Sequence, residues 1–226
     1  MRNKIIYALA ALAAVLVVRG LHVILLELPD DAQQGPVYRI LFFHVPAWFV
    51  GGFGCITALI ASIIYLIKRD LRYDSLAVAA TEAALAFLAI GMVTGSIWGR
   101  IAWGIWWTWD ARLTSAFVLC LLYGGYLVLR LAIEEPTTRA RIAAVMSIFA
   151  FADVPLVWYS IEWFRTQHPQ PVLRAGGSID PAMKSALYWN VLPMAMIATI
   201  LLLIRYRQES VRREIDALRR QVHAAA

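Results

Sequence analysis

Residues 103–133 read WGIWWTWDARLTSAFVLCLLYGGYLVLRLAI and join two unlike textures: a tryptophan-rich connection, then an apolar run. From Ala111 to Ile133 the only charges are Arg112 and Arg130, near the two ends. A helix of about 20 such residues crosses the hydrocarbon core of a bilayer. Five further blocks share this character: Ile5–Leu26, Leu41–Ile67, Leu76–Ile97, Ile142–Phe164 and Ala182–Ile204. Of the 226 residues, 61% are apolar and 16% charged, whereas soluble domains carry about 25% charge. Mean hydropathy is +0.66. The expected fold class is an all-α integral membrane protein with six transmembrane helices.

Six spans place both termini on one side, and cytoplasmic loops carry the excess of Lys and Arg. One set of ends holds fourteen, from Arg2 and Lys4 to Arg219 and Arg220; the other holds six, Arg39, Arg100, Arg112, Arg165, Arg174 and Lys184. Both termini are therefore expected in the cytoplasm, and the net charge of +6 follows from topology, with no nucleic-acid partner implied. The first apolar run, about 22 residues, exceeds the 7–15 of a signal peptide and reads as a retained anchor. Cys55 and Cys120 lie in separate spans without a CxxC or CxxCH spacing, so neither a disulfide framework nor covalent haem attachment is indicated. The expected organisation is a six-span membrane domain over 1–204, with the tryptophan-rich segment at 98–115, and a basic cytoplasmic amphipathic tail over 205–226. In that tail Val211, Ile215, Leu218 and Val222 recur at helical spacing. Gly91 and Gly95, and the cluster Gly51, Gly52 and Gly54, read as close helix packing.

The three outer connections, Glu27–Ile40, Trp98–Asp110 and the segment RTQHPQPVLRAGGSIDP from residue 165, are the richer ones, and binding residues concentrate on such loops. His44, in LFFHVPAWFV, lies in the first turn of the second span, and His168, in WFRTQHPQPV, just beyond the fifth. Topology brings both to the level of the tryptophans. Zinc normally demands three or four ligands. Haem needs two axial ligands, an aromatic wall and cations for its propionates, and indoles supply large flat area at low entropy cost. Arg100, Arg112, Arg174 and Lys184 are the candidate propionate contacts. Single tryptophans such as Trp48, Trp98, Trp163 and Trp189 are also explained by an interfacial belt, and Asp110 by a helix N-cap. Asp153, beside Pro155, and Glu82 lie within spans, where structural pairing or a kink is the first reading.

These residues resemble a known family. WGIWWTWDARLTS is similar to the WWD signature of haem-handling proteins in cytochrome c biogenesis, and HVPAW at 44–48, DVPLVWYSIEWFRTQH at 153–168 and LLYGGYLVL in the fourth span narrow the resemblance to the CcmC, or haem exporter protein C, group. It covers roughly residues 40–205. One departure is GRIAWG where the group often has GxPMWG. The resemblance implies that His44 and His168 are axial ligands of a non-covalent haem b. It makes Trp103, Gly104, Trp106, Trp107, Trp109 and Asp110 the haem platform, continued by Arg112, Thr114 and Ser115. It also implies a multi-pass protein of the inner membrane working toward the periplasm. Its expected partners are haem, a CcmE-like haem chaperone, the ABC-transporter subunits CcmA and CcmB, a CcmD-like small membrane protein and lipid. No turnover chemistry is expected of this chain alone. Two readings stand against haem transfer: a b-type cytochrome electron-transfer subunit, and a solute transporter built on Asp153 and Glu82.

Overall fold

The computed structural model describes residues 2–169 and 179–225. Among these residues, seven α-helices supply six stretches long and apolar enough to cross a membrane. They are α1 (Arg2–His22), α2 (Leu41–Lys68), α3 (Leu71–Trp103), α4 (Ala111–Ala132), α5 (Pro136–Phe151), α6 (Asp153–Trp163) and α7 (Pro181–Ala225). A π-helical turn, Val23–Glu27, extends α1, and a 3₁₀ turn, Pro36–Ile40, leads into α2.

The ends of these helices follow from local chemistry. The Asp70 carboxylate accepts the Arg72 N–H at 2.9 Å and caps α3; Asp110 does the same for α4 through Leu113 N–H at 2.9 Å. Glu135 accepts from Thr137 N–H and Thr138 N–H ahead of Pro136 at the first position of α5, where the missing proline N–H costs nothing. Hydrogen bonding from the Thr138 side chain, then from the Thr137 N–H and hydroxyl and the Thr138 N–H, holds the Glu135 carboxyl down at about 2.

Two boundaries differ from the sequence expectation. α3 does not stop before Trp98; it runs on through Trp103, so the expected Trp98–Asp110 connection contracts to Gly104–Asp110. No proline or positive-φ residue precedes Gly104 in α3, and Gly104, at φ +77°, ends the helix in a conformation favouring glycine. Arg100 donates to the Gly104 carbonyl, satisfying one acceptor left open by the helix end. The fifth span, in turn, is two helices meeting at Ala152. Pro155 has no N–H for the Phe151 carbonyl, so the helical ladder breaks there.

The α2–α3 pair is the most extensive packing in the molecule. Small residues set its separation in antiparallel order. A Cβ on Gly54 would meet Ala84 Cβ at 2.7 Å, on Gly51 Leu88 at 2.9 Å, on Gly91 Trp48 Nε1 at 2.7 Å and on Gly95 His44 Cε1 at 2.9 Å. α5 and α7 also lean on α2, α4 packs on α5 and α6, and α1 packs chiefly on α7. Away from the tryptophan-rich end, polar groups pair within the bundle. Buried Arg130 donates to buried Asp74 through two bonds, 2.5 and 2.9 Å. Glu82 receives Arg205 from α7, so its carboxylate is held in an ion pair between helices. Asp153 sits half-buried at the α5–α6 break, its Oδ2 buried without a hydrogen-bond partner among the described residues.

Candidate functional site at the tryptophan end

His44 and His168 come together. Their ring centroids lie 6.5 Å apart with the planes inclined by 31°. Both line one cavity, whose wall is mostly apolar and aromatic.

His44 is fixed by α3. The Thr94 hydroxyl donates to the Ile90 carbonyl at 2.7 Å, leaving its oxygen to accept the His44 Nδ1–H at 3.1 Å. Trp48, one turn on, packs edge-on against the ring at 6.3 Å. The Gly91 and Gly95 pair, expected only as helix packing, makes room for Trp48 and His44. His168 uses its Nδ1–H on the Pro169 carbonyl at 2.8 Å. Burial, then the charge of Arg112, pushes the His168 imidazole down to about 4, so the ring is neutral at physiological pH. In both rings Nδ1 is engaged and Nε2 makes no hydrogen bond among the described residues. A bonded Nδ1–H fixes the tautomer that offers Nε2 to a metal.

Asp110 does more than cap α4. Its Oδ2 accepts from Thr166 Oγ1 at 2.5 Å and from Gln167 N–H at 3.0 Å, and His168 N–H reaches Thr166 Oγ1 at 3.1 Å. The acid of the tryptophan-rich segment thus holds the loop that carries His168.

The four tryptophans of that segment divide. Trp103 and Trp107 line the cavity, and the buried Trp107 Nε1 has no hydrogen-bond partner among the described residues. Trp106 and Trp109 are 60% and 73% exposed and do not line it. Trp109 instead stacks edge-on with Trp107 at 5.7 Å and with Phe117 at 6.1 Å. Trp48 and Trp98, which a membrane belt would also explain, line the cavity as well, and Trp98 Nε1 donates to Gln34 at 2.8 Å.

The candidate propionate contacts divide too. Arg112 lines the cavity, its guanidinium 5.9 Å from the Trp48 ring and donating to the Val157 carbonyl. Arg100 is exposed and committed to Gly104; Lys184 is exposed on the first turn of α7; neither lines the cavity. Arg174 lies outside the described residues. Thr94, Gly95, Gln34 and Thr166 were not foreseen. Thr94 and Thr166 act on partners 50 and 56 residues away, and no local pattern announces such bonds.

The donor set suits a flat iron macrocycle. Iron held by two imidazoles at about 2 Å each places the ring centres about 6 Å apart, close to the separation found. Among the described residues no cluster of three or more His, Cys, Asp or Glu could hold a bare metal ion.

Fold and site together define a class: an all-helical integral membrane protein that sets two imidazoles across an aromatic cavity at one end of its bundle. The family model described as CcmC, Heme exporter protein C, matches residues 1–221. Heme exporter protein C of Bradyrhizobium diazoefficiens is 37% identical over 212 residues, covering 93% of this chain and 80% of that protein. The Escherichia coli (strain K12) Heme exporter protein C is 40% identical over 182 residues, 79% of this chain and 73% of that protein. A putative cytochrome c biosynthesis ccmC-like mitochondrial protein of Marchantia polymorpha is 29% identical over 181 residues, 80% of this chain and 77% of that protein. The chain belongs to the Heme exporter protein C family.

Proposed function

We propose that this protein collects haem b, bound non-covalently, and passes it to a CcmE-like chaperone for c-type cytochrome maturation. The observation that carries the reading is the pairing of His44 and His168, 6.5 Å apart, each with Nδ1 engaged and Nε2 open. The two Nε2 atoms hold the iron; Trp48, Trp103 and Trp107 supply the aromatic wall; Arg112 is the cavity cation for a propionate. The protein binds and releases its cargo and performs no turnover chemistry of its own.

Six spans with fourteen Lys and Arg on one set of ends against six on the other support cytoplasmic termini and a site facing the periplasm from the inner membrane. Family membership supports CcmA, CcmB and a CcmD-like protein as partners.

The test is the absorption spectrum, oxidised and dithionite-reduced, of the detergent-purified protein loaded with haem, beside His44→Ala and His168→Ala. A low-spin reduced spectrum in the parent, turned high-spin or lost by each substitution, is expected. Haem retention equal to the parent in the double variant would sink the reading. A b-type electron-transfer subunit predicts instead haem that no acceptor chaperone removes.

A further inference from the structure

The two imidazoles are held unequally. His44 stands on a helix of the most extensive packed pair, with Thr94 on Nδ1, Gly95 against Cε1 and Trp48 on its face. Displacing it requires moving α2 or α3. His168 follows α6 on a non-helical segment. Among the described residues, the hydrogen bonds that tie its surroundings to the bundle converge on one carboxylate: Thr166 Oγ1 and Gln167 N–H both donate to Asp110 Oδ2, and Thr166 in turn accepts the His168 N–H. Asp110 Oδ1 meanwhile caps α4, an element that does not have to move.

We infer that His168 is the exchangeable axial ligand, that His44 is the fixed one, and that Asp110, acting through Thr166 and Gln167, sets how long His168 stays on the iron. The inference rests on the bis-histidine reading and adds to it the bond that opens. At hand-off the bond between iron and His168 Nε2 breaks and its electron pair returns to the nitrogen. A Lewis base of the acceptor supplies the pair that replaces it. No proton or net electron changes hands. Asp110 and Thr166 are positioning residues in this scheme.

Carbon monoxide reads the step, because it enters a six-coordinate ferrous haem only after an axial ligand leaves. Stopped-flow CO binding to the dithionite-reduced, haem-loaded full-length protein compares the parent with Thr166→Val, Thr166→Ser and Asp110→Asn. Thr166→Val removes a latch donor without touching the α4 cap, and Asp110→Asn keeps a capping oxygen while replacing a latch acceptor by a donor. Both accelerate CO binding about tenfold to a hundredfold, the factor that loss of a charge-assisted hydrogen bond amounts to. Thr166→Ser keeps the parental rate. The C–O stretching frequency identifies the ligand left behind: the parental adduct matches that of His168→Ala, which retains His44.

A parental CO rate in Thr166→Val with an intact low-spin spectrum overturns the inference, as does a parental adduct matching His44→Ala. If neither histidine substitution alters the reduced spectrum, the bis-histidine reading itself fails and takes the inference with it.

Discussion

The charged groups at one end of the bundle and the imidazoles at the other are put to different uses. At the end remote from the tryptophans, Arg130 closes on Asp74 and Arg205 on Glu82, while Arg213 from α7 donates to Ser75 on α3. At the tryptophan end the His44 and His168 Nε2 atoms and the Trp107 N–H are brought to one cavity without a hydrogen-bond partner among the described residues. Of these the Trp107 Nε1 is fully buried, and buried polar groups are nearly always satisfied. One end spends its charged groups on ion pairs between helices; the other leaves two imidazole nitrogens and an indole N–H unbonded beside a cavity.

The largest test of this contrast is Asp74→Ala. It leaves Arg130 buried without its carboxylate, and breaking a buried pair costs about 3–5 kcal/mol. A thermal melt in detergent drops accordingly, while the haem spectrum of the folded fraction stays parental; loss of the spectrum at full stability would erase the division between the ends. Gly95→Ala works from the other side. Its Cβ would stand 2.9 Å from His44 Cε1, an overpacking worth about 1–3 kcal/mol. It shifts the ring, so the reduced low-spin bands weaken more than the melting temperature falls.

A finer probe is Thr94→Val, which removes the acceptor for His44 Nδ1–H. Loss of such an outer partner costs about tenfold or more in metal affinity. Nitrogen-15 spectra of the haem-free protein register the accompanying rise of the other tautomer, and Thr94→Ser restores both. The smallest effect belongs to Trp106→Phe, an exposed site away from the cavity wall: stability changes within about 0.5 kcal/mol and the haem spectrum is parental. Trp107→Phe in the cavity wall perturbs that spectrum, and equal responses from the two would remove the distinction between lining and outward indoles.

The six spans were legible because hydropathy alone fixes them, and the histidines could be placed at one end because span parity fixes sides. Helix ends were less legible. Trp98 to Trp103 looked like loop because of its aromatic content, yet helix continues until glycine permits the turn. The division of the tryptophans depends on the phase in which the chain leaves Gly104, which composition does not encode. Asp110 was readable as a cap from its position ahead of α4. Its hold on Thr166 and Gln167 was not, because that bond exists only once α4 and α6 are packed side by side.

Helix α7 spans 45 residues with Pro193 inside it, about 68 Å at 1.5 Å per residue, more than twice the thickness of a hydrocarbon core of about 30 Å. Its first turns share a cluster with Phe42, two residues from His44, and its far half carries Arg205 and Arg213. A helix of that length overruns the core, so a single element joins the cluster beside the cavity to the ion pair with Glu82 and the bond to Ser75 at the other end of the bundle.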